Sequence, residues 1–188
     1  LTGGGNGIIL LIVSSLKLFY SSKGVNPMQR EDNPEISRLI QVLKEFNKLL
    51  SISVGHNSLS LLYESELTIP QILTLHYVFH CGKVSISSIS ETLRLSLGAT
   101  SHLVDKLVKR GYLLREENPK DRRIKYVFIT ESGADFIERL NESRTYDLAN
   151  ALSFLEMEDI RKLTDLIGEV NEKLKNKLKN EGKDLCKE

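Results

Sequence analysis

The chain has 188 residues, of which 40% are hydrophobic and 27% charged, a balance that suits one folded soluble domain or one domain with helical extensions. Its net formal charge of +1 excludes a globally basic or acidic protein, but the charge is unevenly spread: Lys83 to Lys125 holds ten Lys and Arg against five Asp and Glu, which leaves −4 for the remainder. One segment is therefore suited to a polyanion surface. The only two cysteines, Cys81 and Cys186, are too few for a disulfide framework and form no Cys-x-x-Cys arrangement. Each is expected as a small buried or tail residue in a reducing cytoplasm, with a redox-sensing thiol as the alternative.

Residues 1–33 read as an N-terminal extension or a leader. The apolar run Ile8–Val13 is far too short to span a bilayer, and no basic residue precedes it, so a secretory signal fits poorly. Met28 is the natural start on this reading; a packed extension and a targeting segment are the alternatives. Asn33-Pro34-Glu35 then marks a helix start, with Asn at the N-cap, Pro in the first turn and an acid beside it. Ile36, Leu39, Ile40, Leu43, Phe46 and Leu50 recur at helical spacing, and the run continues less regularly through Gly55 towards Tyr63. Thr68 caps a second helix that reaches His80 and stops at Gly82. Ser85 opens a short third helix carrying Ile86, Ile89 and Leu93. Ser96 caps a fourth from Leu97 to Arg110, stopped by Gly111.

Two strands follow, Tyr112–Glu116 and Ile124–Ile129, joined by Glu117–Arg123. Thr130 caps a long helix to about Ala151. A final helix from about Met157 carries Ile160, Leu163, Leu166, Ile167, Val170, Leu174 and Leu178, and ends in a Lys-rich tail. Two short helices across a tight turn, followed by a hairpin, describe a winged helix-turn-helix. The fold class is thus mainly α with a small β-hairpin wing: residues 67–133 form the winged helix-turn-helix, 34–66 with 134–182 form a helical region suited to dimerisation, and 183–188 form a tail.

On the fourth helix, Thr100, Leu103 and Leu107 share the side that faces the core, with Val104 at its edge. Gly98, His102, Asp105 and Lys109 lie opposite, flanked by Ser101 and Lys106. A small, polar exposed face over the first two turns is what entry into a DNA major groove requires. The hairpin adds Lys120, Arg122, Arg123 and Lys125 around a single acid, Asp121. A narrow minor groove attracts an inserted Arg, and a carboxylate two residues away can hold that guanidinium in a bidentate pair. A merely solvated loop has no need of such an acid.

The stretch "SLGATSHLVDKLVKRGYLLREENPKDRRIKYVFITESG" closely resembles the MarR family of winged-helix transcription regulators. Their Asp-x-Arg wing and following Leu-Thr-x-x-Gly helix start stand here as Asp121-Arg122-Arg123 and Ile129-Thr130-Glu131-Ser132-Gly133. Ile in place of Leu is a mild, apolar departure. "LTIPQILTLHYVF" is similar to the family's second helix, and the likeness in pattern runs from about residue 34 to 180. It implies a homodimer whose first and last two helices interlock, a palindromic double-stranded DNA operator, and often a small-molecule effector. It also implies base or phosphate contacts from Ser96, Ala99, Ser101, His102 and Lys106, and a minor-groove Arg123 oriented by Asp121. An effector pocket would be lined partly by Tyr63, His76 and His80.

His76 and His80 are spaced to chelate a metal, but the sequence brings no dense set of acids or further histidines to them, so no metal or other cofactor is expected. No Gly-x-Gly-x-x-Gly, phosphate-binding loop, nucleophile elbow or cluster of catalytic acids points to an enzyme. The alternatives are a winged helix kept as a protein-interaction module without operator recognition, or a regulator that senses thiol oxidation or a metal.

Overall fold

Asn33 begins the first helix as the sequence predicts: its side-chain Oδ1 accepts from the Glu35 amide at 3.0 Å, and its carbonyl accepts from the Ser37 amide at 3.2 Å. The computed structural model describes residues 33–53, 56–181 and 186. The leader reading of residues 1–33, Met28 included, lies outside these apart from Asn33, as does the tail 183–188 apart from Cys186. In chain order the elements are α1 (Pro34–Ser53), α2 (His56–Ser65), α3 (Ile69–Cys81), β1 (Val84–Ser85), α4 (Ile86–Leu93), α5 (Leu97–Lys109), β2 (Leu113–Glu117), β3 (Lys125–Ile129), α6 (Glu131–Leu152) and α7 (Met157–Asn180). The long first run expected to continue towards Tyr63 is thus two helices, α1 and α2. None of the described helices is long and apolar enough to cross a membrane.

Two compact units result. One holds α1, α2 and the Leu140–Ala151 stretch of α6; the other holds Glu66–Arg139 together with α7. In the first unit, α2 enters with its early amides facing a buried acid on α6. Asp147, only 6% exposed, accepts from the Ser58 amide at 3.2 Å, the Ser58 hydroxyl at 2.8 Å and Asn57 Nδ2 at 3.0 Å. A carboxylate there satisfies donors that a helix start leaves orphaned and complements the helix dipole. Burial works against its charge, but the hydrogen bonds from Ser58 and Asn57 outweigh that and hold the carboxyl below the usual carboxylate range.

Asp147→Ala is therefore expected to destabilise the protein by about 2 kcal/mol at neutral pH, the range for hydrogen bonds to a charged group. Because the folded pKa is depressed, the contribution is complete above the unfolded value of about 3.9 and is lost as pH falls through the lower folded value. Thermal unfolding at neutral and at strongly acidic pH checks this: the gap between variant and parent should narrow in acid.

The second unit is built around α3. Thr68 and Gln71 form its capping box, with Gln71 Oε1 accepting from the Thr68 amide at 2.8 Å. Ser85 Oγ accepts from the Ser88 amide at 3.0 Å to start α4, and Ser96 Oγ accepts from the Ala99 amide at 3.2 Å to start α5. Between α4 and α5, Arg94 takes a left-handed backbone (φ 53°), and Ser90 closes the turn by donating its hydroxyl to the Leu95 carbonyl at 2.7 Å. Leu75, Val78, Ile89, Val104, Leu107, Leu113, Val127 and Ile137 supply the core of this unit.

β1 is a strand that sequence periodicity does not reveal, since two residues carry no alternation. It pairs antiparallel with β3 (Val84↔Val127), and β2 pairs on the other side (Leu113↔Ile129 to Glu117↔Lys125), giving the order β1-β3-β2. The cysteines also depart from expectation. Cys81, the last residue of α3, is joined to Cys186 by a disulfide with Cα atoms 5.2 Å apart, so neither is a free thiol here. A separation of 105 positions hides such a pair from any spacing rule.

Candidate nucleic-acid interface

The buried ridge of α5 consists of Thr100, Val104 and Leu107, each fully inaccessible. This corrects the helical-wheel expectation by about one position: Val104 is central to the packed face, and Leu103 is only half-buried. The exposed side presents Gly98, Ala99, His102, Lys106 and Lys109. Ser96 is exposed at the cap; its oxygen already accepts from Ala99, which leaves the hydroxyl proton free to donate outward. Gly98 and Ala99 keep the helix thin where it emerges.

Asp105 is not a freely solvated member of that face. Its carboxylate pairs with Arg115 of β2, whose other terminal nitrogen donates to Ser101 Oγ at 3.3 Å. Ser101 is thus half-buried between helix and strand rather than fully presented. Sequence pattern alone does not mark Arg115 as a functional residue. The pairing of Asp105 with a residue ten positions later becomes visible only once β2 is laid beside α5.

The wing tip is organised by Asn118. Its Oδ1 accepts from the Lys120 amide at 2.8 Å and its own amide donates to the Ile124 carbonyl at 2.9 Å, while Ile124 donates its amide to Asp121 at 2.9 Å. Within this turn the carboxylate–guanidinium pair expected from the sequence is present. Arg123 Nε donates to Asp121 Oδ1 and Nη2 to Oδ2, both at 3.0 Å, and the Arg123 amide adds a third bond to Oδ1 at 3.0 Å. The Arg123 side chain is 91% exposed while Asp121 is partly covered. The hydrogen bonds from Arg123 hold the Asp121 carboxyl below the usual range, so the pair stays charged at neutral pH. Lys120 and Arg122 are exposed on the same turn, and Lys125 opens β3 half-buried. Oriented cations on a turn, next to a small-faced helix, match the geometry of a probe for a narrow groove of negative potential.

Behind the wing, Thr130 ties the motif together. Its hydroxyl donates to the Gly111 carbonyl at 2.7 Å and accepts from the Gly133 amide at 3.0 Å, and its amide donates to the Tyr112 carbonyl at 3.1 Å. One residue caps α6 and anchors it to the end of α5.

The three residues expected to line an effector pocket are placed very differently. His76 is 1% exposed, enclosed because α3 is buried along nearly its whole middle from Gln71 to Val78, so it does not line an open pocket. His80 is largely exposed at the end of α3, with its ring stacked on His76 at 6.2 Å and its pKa lowered by the partial burial of that ring. Tyr63, on α2 in the other unit, is 86% exposed. Among the described residues no group of three or more His, Cys, Asp or Glu is gathered in a metal-binding arrangement.

Comparison with known proteins converges on the same region. Residues 67–125 match the family model described as the MarR family. The HTH-type transcriptional regulator YkoM of Bacillus subtilis is 25% identical over 133 residues, 71% of this chain and 86% of that protein. The HTH-type transcriptional regulator MhqR of the same organism is 25% identical over 100 residues, 53% of this chain and 69% of that protein. Among solved structures, the fold is similar to that of the transcriptional regulator Tm0710 from Thermotoga maritima (TM-score 0.65, 23% identity, covering 76% of this chain and 98% of that one). A MarR family protein from Bacillus stearothermophilus is similar too, with TM-score 0.61 and 21% identity over 77% of this chain and 98% of that one.

Proposed function

We propose that this chain, whose residues 67–125 match the MarR family model, is a transcriptional regulator of that type that binds a palindromic DNA operator as a homodimer and is released from it by a small effector. The observation that carries DNA binding is the Arg123–Asp121 fork on a basic wing immediately after α5. Ser96, Ala99, Ser101, His102 and Lys106 contact the major groove, Arg123 enters the adjacent minor groove, and Lys120, Arg122 and Lys125 meet phosphates. A protein-interaction module has no use for a guanidinium held outward in this way. Selection of duplexes from a random-sequence library with purified protein tests the reading; recovery of one symmetric motif is the expected result.

Dimerisation is supported by apolar side chains left uncovered on two helices. On α1, Ile36, Leu39, Leu43 and Phe46 are between 44% and 56% exposed; on α7, Leu163, Ile167, Val170 and Leu174 are between 43% and 53% exposed. Soluble monomers seldom leave such continuous stripes in water. Light scattering is expected to return twice the 21.3 kDa chain mass at micromolar concentration, and a stable monomer would contradict the proposal. In the dimer the two copies of α5 meet successive major grooves roughly 34–36 Å apart.

Effector release rests on linkage: whatever factor the effector takes from operator affinity, the operator takes from effector affinity. His80, the exposed histidine of the expected lining residues, is the candidate to touch it. The reading places the protein in the cytoplasm, where its operator is.

A further inference from the structure

Arg115 occupies an unusual position for a basic residue in a chain proposed to bind DNA. It sits on β2 opposite Val127, and its side chain is only 22% exposed. Its guanidinium turns to α5, donating from Nη1 to Asp105 and from Nη2 to Ser101 Oγ. Ser101 and Asp105 are four residues apart, so one guanidinium clasps two successive turns of α5. Arg115 Nε is buried with no acceptor among the described residues, a desolvation cost that the two terminal bonds must offset.

We propose that Arg115 is a positioning residue for sequence reading: it locks α5 to the wing strand and fixes the Ser101 hydroxyl as a hydrogen-bond donor to a base-edge acceptor in the major groove. The inference rests on the DNA-binding reading above and adds a specific device to it. A serine hydroxyl has one proton and two lone pairs. With a lone pair occupied by Arg115, the hydroxyl is polarised and its proton remains to be given outward. Purine N7, guanine O6 and thymine O4 are the acceptors the major groove offers. The same clasp neutralises Asp105, whose carboxylate would otherwise repel phosphates from the reading face.

The test is the ratio of affinities for a duplex recovered from a random-sequence library and for a scrambled duplex of the same length and composition, at one salt concentration. A residue that only stabilises the fold lowers both affinities together and leaves the ratio unchanged. Ser101→Ala, Arg115→Ala and Asp105→Asn are each expected to lower the ratio about tenfold, the cost of losing a base contact. Asp105→Asn should do so while tightening binding to the scrambled duplex, because an acid has been removed. Arg115→Lys should not restore the ratio, since a point-like ammonium lacks the fork that serves two acceptors at once. Arg115→Ala combined with Ser101→Ala should lose no more than Ser101→Ala alone.

If Arg115→Ala fails to fold by circular dichroism, Ser101→Ala and Asp105→Asn decide. An unchanged ratio in those two, or full rescue by Arg115→Lys, overturns the inference while leaving DNA binding intact. Equal affinity of the unaltered protein for both duplexes overturns the DNA-binding reading and this inference with it.

Discussion

Gly133→Ala is expected to destabilise the protein by on the order of 3 kcal/mol, although the same change inside an ordinary helix stabilises by up to about 1 kcal/mol. The sign follows from what surrounds the position. A Cβ on Gly133 would lie 2.3 Å from the Tyr112 carbonyl oxygen and 2.8 Å from Ile129 Cγ1. The carbonyl cannot retreat cheaply, because it accepts from the Thr130 amide at 3.1 Å while the Tyr112 amide is held by the Leu107 carbonyl at 3.0 Å. Relief therefore means moving the start of α6 away from the end of α5 and breaking the Thr130 bridge. Chemical denaturation at neutral pH checks it; a Gly133→Ala protein as stable as its parent would show that this close approach is not maintained in solution.

At the wing, Arg123→Ala is expected to weaken operator binding on the order of tenfold or more, and Asp121→Ala to weaken it as well. The second half is the discriminating one. Removing an acid beside phosphates should tighten binding on charge alone. Only the observed geometry, in which both carboxylate oxygens hold Nε and Nη2 at 3.0 Å, makes loss of the acid harmful. Freed from Asp121, the guanidinium would regain rotamers that it must surrender on entering the groove. The double variant should then cost little more than Arg123→Ala alone, as partners in one interaction are not additive. Tighter binding by Asp121→Ala, with Arg123→Ala neutral, would make the tip a plain solvated turn.

Most of the helix starts and the wing are legible in the sequence because their signals are local. Asn33, Thr68, Ser85, Ser96 and Thr130 each sit at a helix start, and capping chemistry is written within three or four residues. The Asp121–Arg123 pair was readable for the same reason, since its partners are two residues apart. What stayed hidden depends on the third dimension. Val84–Ser85 becomes a strand only because β3 offers an edge, and Arg115 finds Asp105 only because β2 lies along α5. The Cys81–Cys186 bond and the burial of His76 likewise follow from packing rather than pattern. Apolar spacing continues from the first helix past Ser53 into α2, whose separate start depends on the distant Asp147.

Whether this chain reads DNA sequence through α5 and the wing is decided by a competition titration of the unaltered protein. A duplex recovered by selection is measured against a scrambled duplex at physiological salt. A preference of roughly a thousandfold or more for the selected duplex is expected, the lower range for specific over non-specific binding. Equal affinity for the two duplexes, or no binding to either, would contradict it.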